Sequence, residues 1–329
     1  MRVKLALKTL CTLGLALILN ACCSGSCKNV KKDPNDTREP LECPWTDKNE
    51  TVLDCPWAGV ARLLRQTASK DQKAIVTQQV PELADQIEKD LKNNAVIEKS
   101  WGHSLNFDEN AQRAIIDEDI IVLLSQWLNI KDPDGDQVHA GVAHTYGYIF
   151  SLLHTPYGYK RARWIEGEIE KGLGLPEKIF HPKTKEGSFL SNVTYFAGRV
   201  GLRDSADAQI EIKKLEPSVS PALIELHYEL LKTRRLREVL PEVEIRTDFV
   251  AFKDKSIKDQ YLLIYSYKLK DEDPKLITLF PVKTGFYEKT LATQLLGENQ
   301  EISDHYNAFI PHVTGEKEKR KGNRRVEIK

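Results

Sequence analysis

Residues 241–282 read PEVEIRTDFVAFKDKSIKDQYLLIYSYKLKDEDPKLITLFPV, and within them the apolar spacing drops from three or four residues to two. Val243, Ile245, Phe249 and Ala251 alternate with other neighbours, and Tyr261, Leu263, Tyr265, Tyr267 and Leu269 repeat the pattern. Leu276, Phe280 and Val282 follow beyond an Asp271-Glu272-Asp273-Pro274 turn. A period of two puts alternate side chains on one face of a pleated strand, so the stretch predicts three strands in an antiparallel meander.

Toward the N-terminus the period is helical. Ser220-Pro221 predicts the start of a helix that ends before Pro241, with Lys232, Arg234, Arg235 and Arg237 near its negative end. His227 would lie on its apolar side with Leu223 and Leu230, as a core histidine. Asn106 and Glu109 have the spacing of a capping box ahead of an apolar run to Ile130. Val76, Val80, Leu83, Ile87 and Leu91 form a stripe in which Pro81 either kinks the helix or opens a second one. Pro56 can open a short helix whose Trp57, Val60, Leu63 and Leu64 share a face. After the strands come a short helix from about Glu288 to Gly297 and a basic tail. The fold class is therefore α+β, a mostly helical N-terminal two-thirds followed by a small antiparallel sheet. No Gly/Ser/Pro-rich linker separates the helical region 57–240 from the β region 241–329, so the two can form one domain.

The first 21 residues have a basic start (Arg2, Lys4, Lys8) and an apolar stretch from Thr9 to Leu19, the pattern of a cleaved export signal. Leu19-Asn20-Ala21-Cys22 resembles the lipobox of bacterial lipoproteins, in which a small residue precedes a Cys that is acylated and becomes the new N-terminus. The resemblance covers this signal alone, and Asn20 is a less usual residue at its place. It implies that Cys22 carries acyl chains such as palmitate, that the lipid bilayer is a partner, and that the protein belongs to the bacterial cell envelope. The outer membrane is the expected location, facing the periplasm or the cell surface. Two or three chains anchor stably where one would not. Residues 22–56 are polar and charged and read as a cysteine-containing tether.

Four cysteines follow Cys22, namely Cys23, Cys27, Cys43 and Cys55, and the last 274 residues have none. An oxidising compartment favours a disulfide between Cys43 and Cys55, which would close a short loop and contribute roughly 2–3 kcal/mol. Removing the three basic residues of 1–21 leaves 45 basic against 48 acidic side chains, a net of −3. That balance argues against a nucleic-acid binder. No cofactor is implied, and no metal: His139, His144 and His154 lie five and ten residues apart, which fits no helical ligand pair. The segment 132–136 looks like a calcium loop but has Gln137 and Ala143 where Gly and Glu are needed, and reads as a turn. Asp117, Glu118 and Asp119 interrupt an apolar run, either as paired carboxylates for acid–base work or as a solvated helix face.

Two segments carry the candidate site. AHTYGYIFSLLHTPYGYKRARW, residues 143–164, supplies His144, Tyr146, His154, Tyr157, Arg161 and Arg163, with further rings from Tyr148 and Tyr159. GSFLSNVTYFAGRVGLR, residues 187–203, supplies Asn192, Tyr195 and Arg199. Amphipathic rings beside guanidinium forks suit a carboxylate or phosphate, so the two segments are expected to face one cleft that binds a small polar or anionic ligand, or a protein partner. The alternative is a periplasmic hydrolase or transferase, with His144 or His154 as general base and Arg161 or Arg163 stabilising an anion. No GxSxG elbow accompanies Ser151 or Ser191 as a nucleophile. A third reading is a structural link between membrane and cell wall. It rests on Asn323-Arg324-Arg325-Val326-Glu327-Ile328, which resembles the closing strand of OmpA-like peptidoglycan-binding domains over six residues and implies no binding residues. Residues 315–329 hold seven basic and three acidic side chains, a mild preference for anionic surfaces.

Overall fold

The computed structural model describes residues 56–108, 111–131, 137–155, 158–239, 242–295, 308–310 and 327–328. Cys22, Cys43, Cys55, Glu109, Tyr157, the 132–136 turn and the tail from 311 to 326 lie outside them. The protein is α+β. Helices α1 (Pro56–Leu64), α2 (Ser69–Gln79), α3 (Pro81–Leu91) and α4 (Asn94–Ser100) come first. Pro81 occupies the first turn of α3, where its missing N–H costs nothing, so it opens a second helix rather than kinking one. Trp57, Val60 and Leu64 are fully buried, whereas Leu63 turns outward with 37% of its surface exposed.

Strand β1 (His103–Leu105) pairs with β2 (Gln137–His139) on either side of α5 (Glu118–Leu128) in the chain. The capping-box expectation at Asn106 is corrected here: α5 begins at Glu118, twelve residues later. Asn106 instead pins the intervening loop, since its Nδ2 donates to the Ile116 carbonyl at 2.8 Å and its Oδ1 accepts from the Ile116 amide at 3.0 Å. The opening stretch of the candidate site then runs as α6 (Ala140–Val142), a π-helical turn (Ala143–Gly147) and α7 (Tyr148–Phe150). At Gly147 a Cβ would lie 2.6 Å from the Ile116 Cδ1, so this turn can approach the α5 side only without a side chain. Next come β3 (His154–Thr155), β4 (Gly158–Tyr159), α8 (Ala162–Ile165) and α9 (Glu168–Leu173). Helices α10 (Phe189–Gly201), α11 (Ala206–Lys213) and α12 (Pro221–Ile224) complete the helical part.

The long helix expected from Ser220 to Pro241 is also corrected. Helix α12 stops at Ile224, His227 is exposed rather than in the core, and Leu230 is 75% exposed. Residues 233–239 form a strand, β5 (Thr233–Val239), so the sheet has four strands and not three. It continues through β6 (Val243–Ala251), β7 (Tyr261–Leu269) and β8 (Lys275–Val282), all antiparallel neighbours in that order. Locally, TRRLREV suits a helix as well as a strand. The decision is tertiary: Arg235 sits opposite Asp248 of β6, donating from Nε at 3.0 Å and Nη2 at 2.8 Å, and a third nitrogen reaches Asp204 at 2.9 Å. Asp248 is wholly buried and also meets Arg203 at 3.1 Å, so in any other register this interior carboxylate would lose the nearer of its two guanidinium partners.

Both faces of this sheet are covered, and period two sorts its residues between them. Leu262, Ile264 and Leu276 join the helices in the main core, while Leu263, Tyr265, Tyr267, Ile245 and Phe249 pack with Phe286, Tyr287 and Leu291 of α13 (Thr284–Leu295). A bulge between Tyr265 and Ser266 shifts the β7–β8 register, which is why Leu276 faces the helices and not the side of Phe280 and Val282. Helices and sheet thus share one apolar interior. Helix α10 is central to it, packed so closely on α11 that a Cβ at Gly198 would lie 2.5 Å from Ile212 Cδ1. Strands β9 (Ala308–Ile310) and β10 (Glu327–Ile328) add to the β1–β2 pair, with order β10-β9-β1-β2. Among the described residues no helix is long and apolar enough to cross a membrane.

Candidate functional site

A cavity of about 460 Å³ opens where the end of α1, the loop before α5, the end of α7 and the β4–α8 junction meet. Four guanidinium groups line it: Arg62 and Arg65 from the α1 end, Arg113 from the loop and Arg161 from the junction. Asp117 is the one carboxylate among the described lining residues. Ile115, Phe150, Leu152 and Leu153 provide an apolar wall. Arg161 is fully buried, lies 4.0 Å from the Tyr159 ring centroid and donates from Nη1 to the Ser151 carbonyl at 3.2 Å. Stacking and a backbone acceptor hold its plane in place. At the rim, Arg65 pairs with Asp117 through two nitrogens, with Nη2 to Oδ1 at 2.9 Å. That bond holds the Arg65 guanidinium above its ordinary pKa.

Arg163, two residues from Arg161, points elsewhere. Its guanidinium is sandwiched between the Tyr148 ring at 4.8 Å and the Phe280 ring at 5.0 Å, and Nη1 reaches Thr278 Oγ1 at 3.4 Å. It fastens α7 to β8. His144 belongs to the same fastening: its Nδ1 lies 2.5 Å from the Ile277 carbonyl, which can only accept, so Nδ1 carries the proton. Its ring meets Tyr148 edge-on at 5.0 Å, and its own carbonyl accepts from the Trp164 indole at 2.7 Å. Burial first, then Arg163, pushes the His144 pKa down to about 3. Burial, with His103 next in weight, does the same to His139, whose Nδ1 accepts from the Val142 amide at 3.3 Å. His154 is placed by its backbone, which pairs with Tyr159.

The 187–203 segment does not reach the cavity. Its residues organise around Asp90 of α3, a fully buried carboxylate. Asp90 accepts from Tyr146 Oη at 2.6 Å, Ser188 Oγ at 2.7 Å, Ser191 Oγ at 2.5 Å and the amides of Leu190 and Ser191 at 2.8 and 2.9 Å. It therefore caps α10 from another helix, with a negative charge at the positive end of the helix dipole. Desolvation raises the Asp90 pKa, opposed by these hydrogen bonds. Asn192 donates to the carbonyls of Ile179 and Glu186 and accepts from the Ser220 amide, Tyr195 donates to Glu216, and Arg199 donates to Gln209. So of the residues singled out in the sequence, Arg161 and Tyr159 line the cavity; Tyr146, His144, Arg163, Asn192, Tyr195 and Arg199 are placed in other networks. The two segments do touch, but away from the cavity: Phe189 at the start of α10 packs edge-on against Tyr146 at 5.1 Å and Trp164 at 5.5 Å.

Arg62, Arg65 and Arg113 escaped the sequence reading. Arg62 and Arg65 sit three apart off the buried Trp57–Leu64 stripe, which marks a polar helix face but not a site. Nothing local joins them to Arg113 or Arg161. Among the described residues no cluster of three or more His, Cys, Asp or Glu side chains could hold a metal ion. What the fold and cavity define is an α+β protein with an arginine-lined recess. No protein-family model, curated protein sequence or solved structure matches the chain.

Proposed function

We propose that the protein is a lipid-anchored bacterial envelope protein, acylated at Cys22, whose globular part binds a small anionic ligand in the cavity floored by Arg161. One observation carries the binding half of this reading: four guanidinium groups converge on a recess that presents a single carboxylate among its described lining residues. Convergent guanidinium forks present N–H donors in the geometry that phosphate and carboxylate oxygens accept. The volume falls in the range that small-molecule sites occupy, and the apolar wall beside the arginines suits a ligand with an organic body. The lipobox resemblance at Leu19-Asn20-Ala21-Cys22 supports the anchoring half.

Isothermal titration calorimetry with inorganic phosphate, at low and at physiological salt, tests the site. Binding by the wild type, weakened at least tenfold in an Arg62→Ala/Arg113→Ala double variant, is expected, and the affinity should fall as salt rises. Equal binding by the double variant, or none by the wild type, refutes the reading.

A further inference from the structure

The Asp117 carboxylate is placed oddly for its position in the chain. It occupies the N-cap of α5 with extended dihedrals, φ −63° and ψ 137°, yet its side chain makes no capping hydrogen bond. An aspartate there ordinarily turns back to accept from the first-turn amides. Asp117 turns away from its helix, into the arginine recess, and accepts from both Nε and Nη2 of Arg65. The ion pair is half open to water, with side-chain exposures of 49% and 36%, and pairs of that kind are weak.

We infer that Asp117 is a displaceable internal anion: it occupies part of the ligand site, yields Arg65 to an incoming phosphate-type dianion, and returns to cap α5. This rests on the reading of the recess as an anion site and adds a ligand class and a selecting residue. The selection follows from charge. A monocarboxylate that displaces Asp117 exchanges one carboxylate for another on Arg65 and gains nothing there. A phosphate monoester brings a second negative charge and three oxygens, enough to engage Arg65 together with its neighbours. Displacement costs little because the carboxylate has a second place to go: the positive end of α5 offers the N-cap site that it leaves unused. The organic part of such an ester would lie along Phe150, Leu152 and Leu153.

Asp117→Asn separates these roles, since asparagine caps a helix as well as aspartate does but carries no competing charge. Calorimetry on the full chain with inorganic phosphate and with acetate should show tighter phosphate binding in the variant, by roughly two- to fivefold. It should also show a smaller phosphate-to-acetate preference than in the wild type. Asp117→Ser, which keeps a cap and removes the charge, should behave alike and guards against a folding defect peculiar to asparagine. If both variants bind phosphate no more tightly than wild type while Arg62→Ala/Arg113→Ala still loses it, the displacement idea fails and the anion site stands. If the wild type and all variants are silent, the anion site itself fails. Phenyl phosphate titration and co-sedimentation with phosphatidic acid vesicles distinguish the source. Competition by phenyl phosphate for vesicle binding assigns a lipid headgroup, and tight phenyl phosphate binding without sedimentation assigns a soluble ester.

Discussion

Replacing Asp90 by alanine should cost more stability than any surface change in this protein, and the structure supplies the arithmetic. Five donors converge on the carboxylate. Ser188 also lies 3.4 Å from the Ser218 carbonyl, and the Ser191 hydroxyl can rotate, so these two can re-pair in part. The Leu190 and Ser191 amides at the start of α10 and the Tyr146 hydroxyl have no such freedom, because all three residues are buried. Each buried donor left without an acceptor costs about 1–3 kcal/mol. Against this, the variant no longer desolvates a carboxylate. The net expectation is about 3–5 kcal/mol, the usual result of removing one partner from a buried charged network. A midpoint shift on the order of 5–8 °C follows, because a chain longer than 250 residues moves by less than about 2 °C per kcal/mol. Urea denaturation of wild type, Asp90→Ala, Tyr146→Phe and the double variant measures the loss and the Asp90–Tyr146 coupling together. A loss under about 1 kcal/mol for Asp90→Ala, or no coupling, would show that the carboxylate does not organise the start of α10.

Two further expectations follow. His139 and His144 have folded pKa values near 3, so both stay neutral in the fold while unfolded histidines take up protons below about 6.5, and stability falls as pH drops through that window. Glu170 acts oppositely: burial raises its pKa to about 7, the unfolded chain ionises first, and stability is lost as pH rises from about 4.5 to 7. Near pH 5 the unfolded chain holds two more protons through the histidines and one fewer through Glu170. Stability then rises with pH in this range by on the order of 1 kcal/mol per pH unit through these three groups, and Glu170→Gln should make that slope about twice as steep. Urea midpoints at pH 5 and 6 check this, and equal slopes in both proteins would rule out the raised Glu170 pKa. For the anchor, Cys22→Ala should abolish incorporation of labelled fatty acid, and equal labelling of the variant would dismiss the lipobox assignment.

Strands β6, β7 and β8 were legible in the chain because the pleated backbone imposes a period of two that the sequence carries locally, in apolar and aromatic residues bounded by polar turns. The helical stripe through Val76, Val80, Leu83 and Ile87 was legible for the same reason at a period of 3.6. Strand β5 was not. Its identity is set by Asp248 and Asp204, residues 13 and about 30 positions away, whose ion pairs with Arg235 outweigh a local sequence indifferent between helix and strand. Arg161 was visible as a guanidinium among aromatic rings, but the same description fits Arg163, and only packing sends one into a cavity and the other between Tyr148 and Phe280. Arg62, Arg65 and Arg113 have nothing in their neighbourhoods that names a site. Their meaning comes from convergence, since electrostatic potential depends on distance in space and is blind to separation along the chain.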